Sequence, residues 1–321
     1  MEITINNRPN NIVNNTGVYS AVKVRNAPTA PTETDHLQLN NVVTSQPEYE
    51  FEATEDTQII YGETPSEPTD SVVEIASTRS SITDTYKAYQ TKLKDLGFYI
   101  GSINGDLSTS VSKKAILSFQ KLYGMNETGT MDGNTIGNLT NIYIQYSNVY
   151  TATENLPSSY CLDAEQKRNV ARVWVFLKNR MGLNSVQASG AMGNIMQESR
   201  FTPNNANDNK YPGDYNPNYN FSVSDNTAYG IMQWCIQARK EKLASTAADY
   251  GMSVSNINVQ LACMKAESTD ADICKSGWGN LRKCTSVASA ATVFKNEIEQ
   301  CNDDSLQDRI NYAQVFYNVL V

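Results

Sequence analysis

Histidine is almost missing from this chain. Among 321 residues only His36 carries an imidazole, and it stands between Asp35 and Leu37 in a polar stretch. Zinc hydrolases and Cys–His peptidases use histidine as metal ligand or as base, so both designs lose a residue they depend on. Cysteine is missing from the first half. Cys161, Cys235, Cys263, Cys274, Cys284 and Cys301 follow later, with no CxxC or CxxxxC spacing, so no metal and no cofactor is expected. Long apolar runs are missing as well. Nothing approaches the ~18 residues of a membrane span, so no membrane partner is expected. The start, MEITINNRPNN, lacks a basic region followed by an apolar one, so no ordinary secretory signal is expected. Finally, no stripe of Lys and Arg is present to track a phosphate backbone, which argues against nucleic acid. Chemistry that runs on carboxylates alone survives these exclusions, and glycoside cleavage is its leading case.

The net charge of −8 is unevenly placed. Residues 1–80 hold 4 Lys/Arg against 12 Asp/Glu, while residues 81–321 hold 22 of each. The acidic part contains PTAPTETD and GETPSEPTD, which read as linker, with short strands expected at 17–24 and 57–61. It is assigned as a polar, largely irregular arm, a candidate docking segment. The six cysteines allow three disulfides in 15 connectivities, or several small buried apolar residues. Cys274 and Cys284 flank the Gly-containing KSGWGNLRK and are the expected pair.

Residues 81–142 read as a small helical domain. Thr83 or Asp84 is placed to cap a helix with Tyr86, Tyr89, Leu93 and Leu96 on one face. A second helix begins near 108–112 and presents Ala115, Ile116, Phe119 and Leu122. A short last helix carries Ile136 and Leu139. Gln90, Leu93, Gly97-Phe98-Tyr99, Gly105-Asp106, Ala115, Phe119-Gln120 and Thr128-Gly129 follow one another in this order. That ordered set resembles a three-helix peptidoglycan-binding domain. A linker is expected at 143–162.

Residues 163–321 read as mainly α. Asp163 with Gln166 suggests a capping box. Val170, Val173, Trp174, Leu177 and Met181 form an apolar stripe of helical period. Ser185 is placed to cap the next helix, whose buried face is Ala188, Ala191, Met192 and Ile195. Glu198 falls at the C-terminal end of that helix, where the helix dipole disfavours a negative charge and raises its pKa. A general acid at neutral pH needs such a shift.

GNIMQESRFTPN, followed by AYGIMQW, resembles the lysozyme-like fold in its phage tail lysozyme form. VQLACMKAE, ATVFKNEIEQ and DRINYAQVFYNVL are similar to later helices of that family. Goose-type lysozymes and lytic transglycosylases pair Glu-Ser and Gly-aliphatic-Met-Gln in the same way. The resemblance implies that Glu198 is the catalytic acid, that Ser199 lies beside it, and that Gly230-Ile231-Met232-Gln233 lines the cleft. Asp208, Asp214 and Asp225 are candidates for a second carboxylate, and Asp225 is the nearest in placement. Tyr229, Gln233 and Trp234 are candidates for sugar contact, with core packing the alternative for both aromatics.

The implied activity is cleavage of the β-1,4 bond between N-acetylmuramic acid and N-acetylglucosamine. A lytic transglycosylase using the same Glu198, or a non-catalytic wall-binding protein, is the alternative. The implied partner is bacterial peptidoglycan, with a phage tail or similar assembly as a possible second partner through residues 1–80. Release by lysis, or carriage in a virion or injection apparatus, would bring it to the cell wall. The binding and cleaving modules are expected to work separately.

Overall fold

A computed structural model describes residues 70–207, 219–301 and 303–321, with side chains from residue 81 onward. The strands expected at 17–24 and 57–61, the acidic arm, His36, Asp208 and Asp214 lie outside the described residues. The fold is mainly α, as expected, and no described helix is long and apolar enough to cross a membrane.

Helix α1 spans Asp70–Asp95. It starts well before Thr83, because neither Gly nor Pro interrupts the chain between Pro68 and Gly97. Helix α2 (Ser110–Tyr123) is capped by Thr109, whose hydroxyl accepts from the Ser112 amide, and Gly124 closes it at φ 71°. Helix α3 covers Gly133–Ala152, far longer than expected. Leu139, Ile142, Tyr146 and Val149 continue the apolar spacing through the supposed linker and are all buried. Residues 143–152 are therefore helix, and they pack on the C-terminal half of the chain.

Two buried glutamines organise the small domain. The Gln90 carbonyl accepts from the amides of Asn104 and Gly105 at 2.9 and 2.8 Å. The Gln120 carbonyl accepts from the Gly129 amide at 2.9 Å. Their amide groups donate onward, Gln90 to Asp106 O and Gln120 to Thr130 O, both at 3.0 Å. A buried amide left unpaired would cost about 1–3 kcal/mol, so each glutamine fixes one glycine-bearing loop.

In the C-terminal half, α4 (Ala164–Asn179) has the expected Asp163/Gln166 capping box. Helix α5 (Ser185–Ser199) is capped by Asn184, one residue earlier than expected, with Gln187 completing the box. Then come a two-residue antiparallel ribbon (Ala206–Asn207 with Ala228–Tyr229), α6 (Gln237–Tyr250), α7 (Ile257–Glu267), α8 (Lys275–Leu281) and α9 (Val287–Val293). A π-helical turn at Phe294–Glu299 leads towards α10 (Leu306–Leu320). Helix α5 lies against α9 and α10. A Cβ on Gly190 would meet Ala290 at 2.5 Å, and one on Gly193 would strike the Arg309 carbonyl and Ala313. The two glycines allow that close approach.

The two halves share one buried core, and the described residues form one compact unit. The carbonyls that end α1 are capped from across the boundary. Arg172 Nε donates to Asp95 O at 2.8 Å, Asn258 to Leu96 O at 2.9 Å, and Asn256 to Gly97 O at 3.3 Å. Gly97, at φ 84°, lies so close that a Cβ would sit 3.2 Å from Ile257 Cγ2.

The cysteine expectation is corrected. All six thiols are free. Cys274 and Cys284 stand at opposite ends of α8, whose seven residues rise about 10 Å. That exceeds the roughly 7 Å between Cα atoms that a disulfide tolerates.

Candidate active site

Glu198 occupies the last turn of α5. The chain then turns through two non-glycine residues of positive φ, Arg200 at 52° and Phe201 at 60°. Such backbone is costly and persists where packing over-determines it. Here Phe201 is fully buried, edge-on to Phe316 at 5.5 Å. The turn opens a cleft of about 780 Å³ whose walls include Glu198, Asn205, Asn207, Gln233, Asp303 and Arg309.

Arg309 is the centre of the site's electrostatics. It is fully buried, yet it projects from α10 into a cluster of three carboxylates. It donates to Glu198 Oε1, to Glu299 Oε2 and, at 3.1 Å, to Asp303 Oδ2. Asn194 Oδ1 and Ser305 Oγ take further guanidinium hydrogens at 3.0 and 2.8 Å. Lys295 adds a second cation, 3.4 Å from Asp303.

These surroundings push the three acids apart. The Glu198 side chain is 15% exposed. Burial raises its pKa, opposed by Arg309 and reinforced by the charge of Asp303. Burial raises Glu299 much further, helped by Glu198, and its Oε1 has no hydrogen-bond partner among the described residues. Asp303 is 43% exposed. Some burial acts to raise it, but hydrogen bonds from Ser305 and the Arg309 charge prevail and hold it well below the carboxylate range. An acid pushed up thus stands beside a carboxylate held down, the divergence that separates acid from base or stabiliser. Oxygens of Glu198 and Asp303 and the Cys301 sulfur lie within 4.8 Å of one another. The Arg309 guanidinium already pairs with both carboxyl groups there.

The other expected site residues are distributed differently. Asp225 does not line this cleft. Its carboxylate accepts from the buried Lys240 Nζ and, at 3.0 Å, from Tyr219 OH. Those bonds lower its pKa despite some burial. Gln233 lines the cleft in a left-handed conformation, φ 48°. Ser199 also borders it, but its hydroxyl is buried and donates to Ile195 O and Ile231 O at 3.2 Å. It ties α5 to the Gly-Ile-Met-Gln segment. Trp234 is 1% exposed, with its indole N–H donating to Glu267, so it is a core residue. Tyr229 is buried against Tyr219 and Phe221, so it too packs the core.

Sequence reasoning missed Asp303, Glu299 and Arg309. One signal was present. Arg309, Ala313 and Phe316 recur at i, i+4 and i+7, so an arginine sits on the buried face of α10. A buried guanidinium requires acidic partners.

Comparison with known families agrees with this architecture. Residues 168–320 match the phage tail lysozyme family, and residues 83–139 match the putative peptidoglycan binding domain. No curated protein and no solved structure matches the chain. The two matches follow one another in that order along the chain, and together they support a cell-wall-degrading, lysozyme-like role.

Proposed function

We propose that this protein cuts the glycan strand of peptidoglycan at the β-1,4 bond between N-acetylmuramic acid and N-acetylglucosamine. Glu198 is the general acid. Asp303, rather than Asp225, is the carboxylate facing the positive charge that develops on the sugar. One observation carries the reading: Glu198 is buried at a cleft wall with a raised pKa, beside an Asp303 held ionised. In the reaction Glu198 gives its proton to the leaving oxygen, and its carboxylate is then stabilised by Arg309. Gln233 and Asn205 line the cleft, their amide nitrogens donating to the Gly230 and Glu198 carbonyls. The small domain holds the enzyme on an insoluble polymer and raises its local concentration there. Residues 1–80 supply attachment to a phage tail or similar assembly, and the protein reaches the wall by lysis or in a particle.

The carboxylate spacing favours one further reading. Oxygens within 4.8 Å are closer than the roughly 6.5–9.5 Å that leaves room for an inverting water. They fit a retaining course, or a lytic transglycosylase in which the sugar's own C6 hydroxyl displaces the leaving group. Mass spectrometry of digested walls separates these: reducing muramic ends mean hydrolysis, and anhydro-muramic ends mean transglycosylation.

Glu198→Gln tests the assignment itself. Loss of a positioned acid lowers the rate by about 10²–10⁴, with wall binding retained. A folded variant keeping more than about a tenth of wild-type activity would contradict that magnitude and remove Glu198 from the mechanism. A wild-type protein inert on cell-wall zymograms would point to a structural wall-binding role.

A further inference from the structure

The acid cluster at the cleft holds more negative charge than its cations balance. Arg309 of α10 and Lys295 of the π-helical turn face Glu198 of α5, Glu299 of the same turn, and Asp303 beyond it. Other charged groups nearby are already engaged. Arg239 of α6, close enough to act on Glu299, is held by Glu267 of α7 at 2.8 and 2.7 Å. Glu297 accepts from Asn280 of α8 at 2.7 Å, and α9 brings no titratable side chain. Burial pushes the Cys301 thiol up, so it adds no charge near neutral pH. Two cations therefore meet three carboxyl groups. A buried charge without a counter-charge is costly, and such a group takes up a proton instead.

The surroundings narrow down which acid takes it. Asp303 is the most exposed of the three and accepts from Ser305 Oγ at 2.7 Å, which favours its charged form. Glu198 and Glu299 remain. They accept from the two prongs of one guanidinium, Glu198 Oε1 from Nη2 and Glu299 Oε2 from Nη1. The fork is planar and rigid, so it holds the two carboxyl groups as neighbours. Glu299 Oε1 has no partner among the described residues, so an ionised Glu299 would leave a buried oxygen unsolvated. Glu198 opens on the cleft. One acid suits storing a proton, and the other suits delivering it.

We propose that Glu198 and Glu299 share one proton across Arg309, so that Glu299 serves the reaction as a positioning residue for the proton of the catalytic acid. This rests on the reading of Glu198 as general acid. When the proton is on Glu198, Glu299 carries the negative charge; when it is on Glu299, Glu198 does. Arg309 stays paired with both, and the net charge of the cluster is the same. The proton that Glu198 gives to the leaving oxygen is returned by the water or C6 hydroxyl that completes the reaction, so the pair again holds one. A lone Glu198 would lose its proton in a single step as pH rises. A shared proton is on Glu198 for a fraction of the time above that pH, which extends cleavage towards alkaline pH.

The test is a carboxyl-carbon NMR titration of full-length, glutamate-labelled protein, with a pH profile of kcat/KM beside it. Acids coupled this strongly titrate together, so two glutamate signals of the wild type should show the same two inflections. Each signal is assigned by its loss in Glu198→Gln or Glu299→Gln. In Glu299→Gln the Glu198 signal should show one inflection, below the upper wild-type one by about one pH unit or more. The alkaline limb of kcat/KM should move down with it. A Glu198 signal with a single inflection in the wild type would overturn the proposal, and that result needs no folded Glu299→Gln protein. An alkaline limb that stays in place in an active, folded Glu299→Gln protein would overturn it as well. Two shared inflections in a wild-type protein that cuts no glycan at any pH would keep the shared proton and sink the catalytic reading instead.

Discussion

Glu299→Gln is the sharpest probe of the acid cluster. The Glu299 side chain is 2% exposed, accepts from Arg309 through one oxygen, and leaves the other without a partner among the described residues. Burial and the neighbouring Glu198 push its pKa well above the ordinary carboxylate range. Glutamine has the same shape as the protonated acid and still presents a carbonyl oxygen to Arg309. In the unfolded chain the glutamate ionises near pH 4.3; in the folded chain it does so much higher. Its stabilising contribution is therefore complete below the unfolded value. It is then lost as pH rises towards the folded value, at up to about 1.4 kcal/mol per pH unit. Glutamine does not titrate, so that slope disappears. For a unit of this size the difference corresponds to roughly 3–6 °C in Tm per pH unit. Thermal unfolding of wild type and variant from pH 5 to pH 8 should show curves that diverge with rising pH, the variant being the more stable at the alkaline end. If Glu299 were instead an ionised partner of Arg309, the substitution would break a buried ion pair and cost about 3–5 kcal/mol. A variant less stable by that amount at every pH, with the wild-type slope unchanged, would refute the reasoning.

Three other outcomes follow from the geometry. Asp225→Asn should lower stability by about 1–3 kcal/mol, because the buried Lys240 loses its charged partner; kcat on soluble glycan should stay near wild type, and a specific loss of kcat would return Asp225 to the cleft. Gly193→Ala should destabilise by at least about 1–3 kcal/mol, read from urea midpoints, since its methyl would strike the Arg309 backbone. Titration with a thiol reagent under denaturing, non-reducing conditions should count all six cysteines as free; a shortfall would reveal a bridge.

The sequence carries what depends on local chemistry. The Asp163/Gln166 cap, the apolar stripe of α4 and the place of Glu198 at the end of α5 need only spacing and side-chain type, and the structure has each of them. What depends on distant chain segments is less visible. The linker expected at 143–162 is largely helix because Tyr146 and Val149 find a surface on α4, which no local rule supplies. Asp225 was favoured for nearness along the chain to AYGIMQW. Asp303 lies about a hundred residues after Glu198 in sequence, yet the π-helical turn and Arg309 bring it to the acid. Trp234 and Tyr229 have the size and polarity of sugar platforms, and only burial distinguishes such a residue from a core one.

The capping of α1 by Arg172, Asn256 and Asn258 bears on how such proteins can be recombined. A hybrid that kept this catalytic half and received a foreign wall-binding domain would leave a guanidinium and two carboxamides with no carbonyls to meet. The donor domain would have to bring a helix ending at the same place, in the same orientation, with a glycine where Gly97 now admits Ile257. Exchange across this boundary is a graft onto a shaped socket, and success should follow the match of that one helix end more closely than overall similarity of the domains.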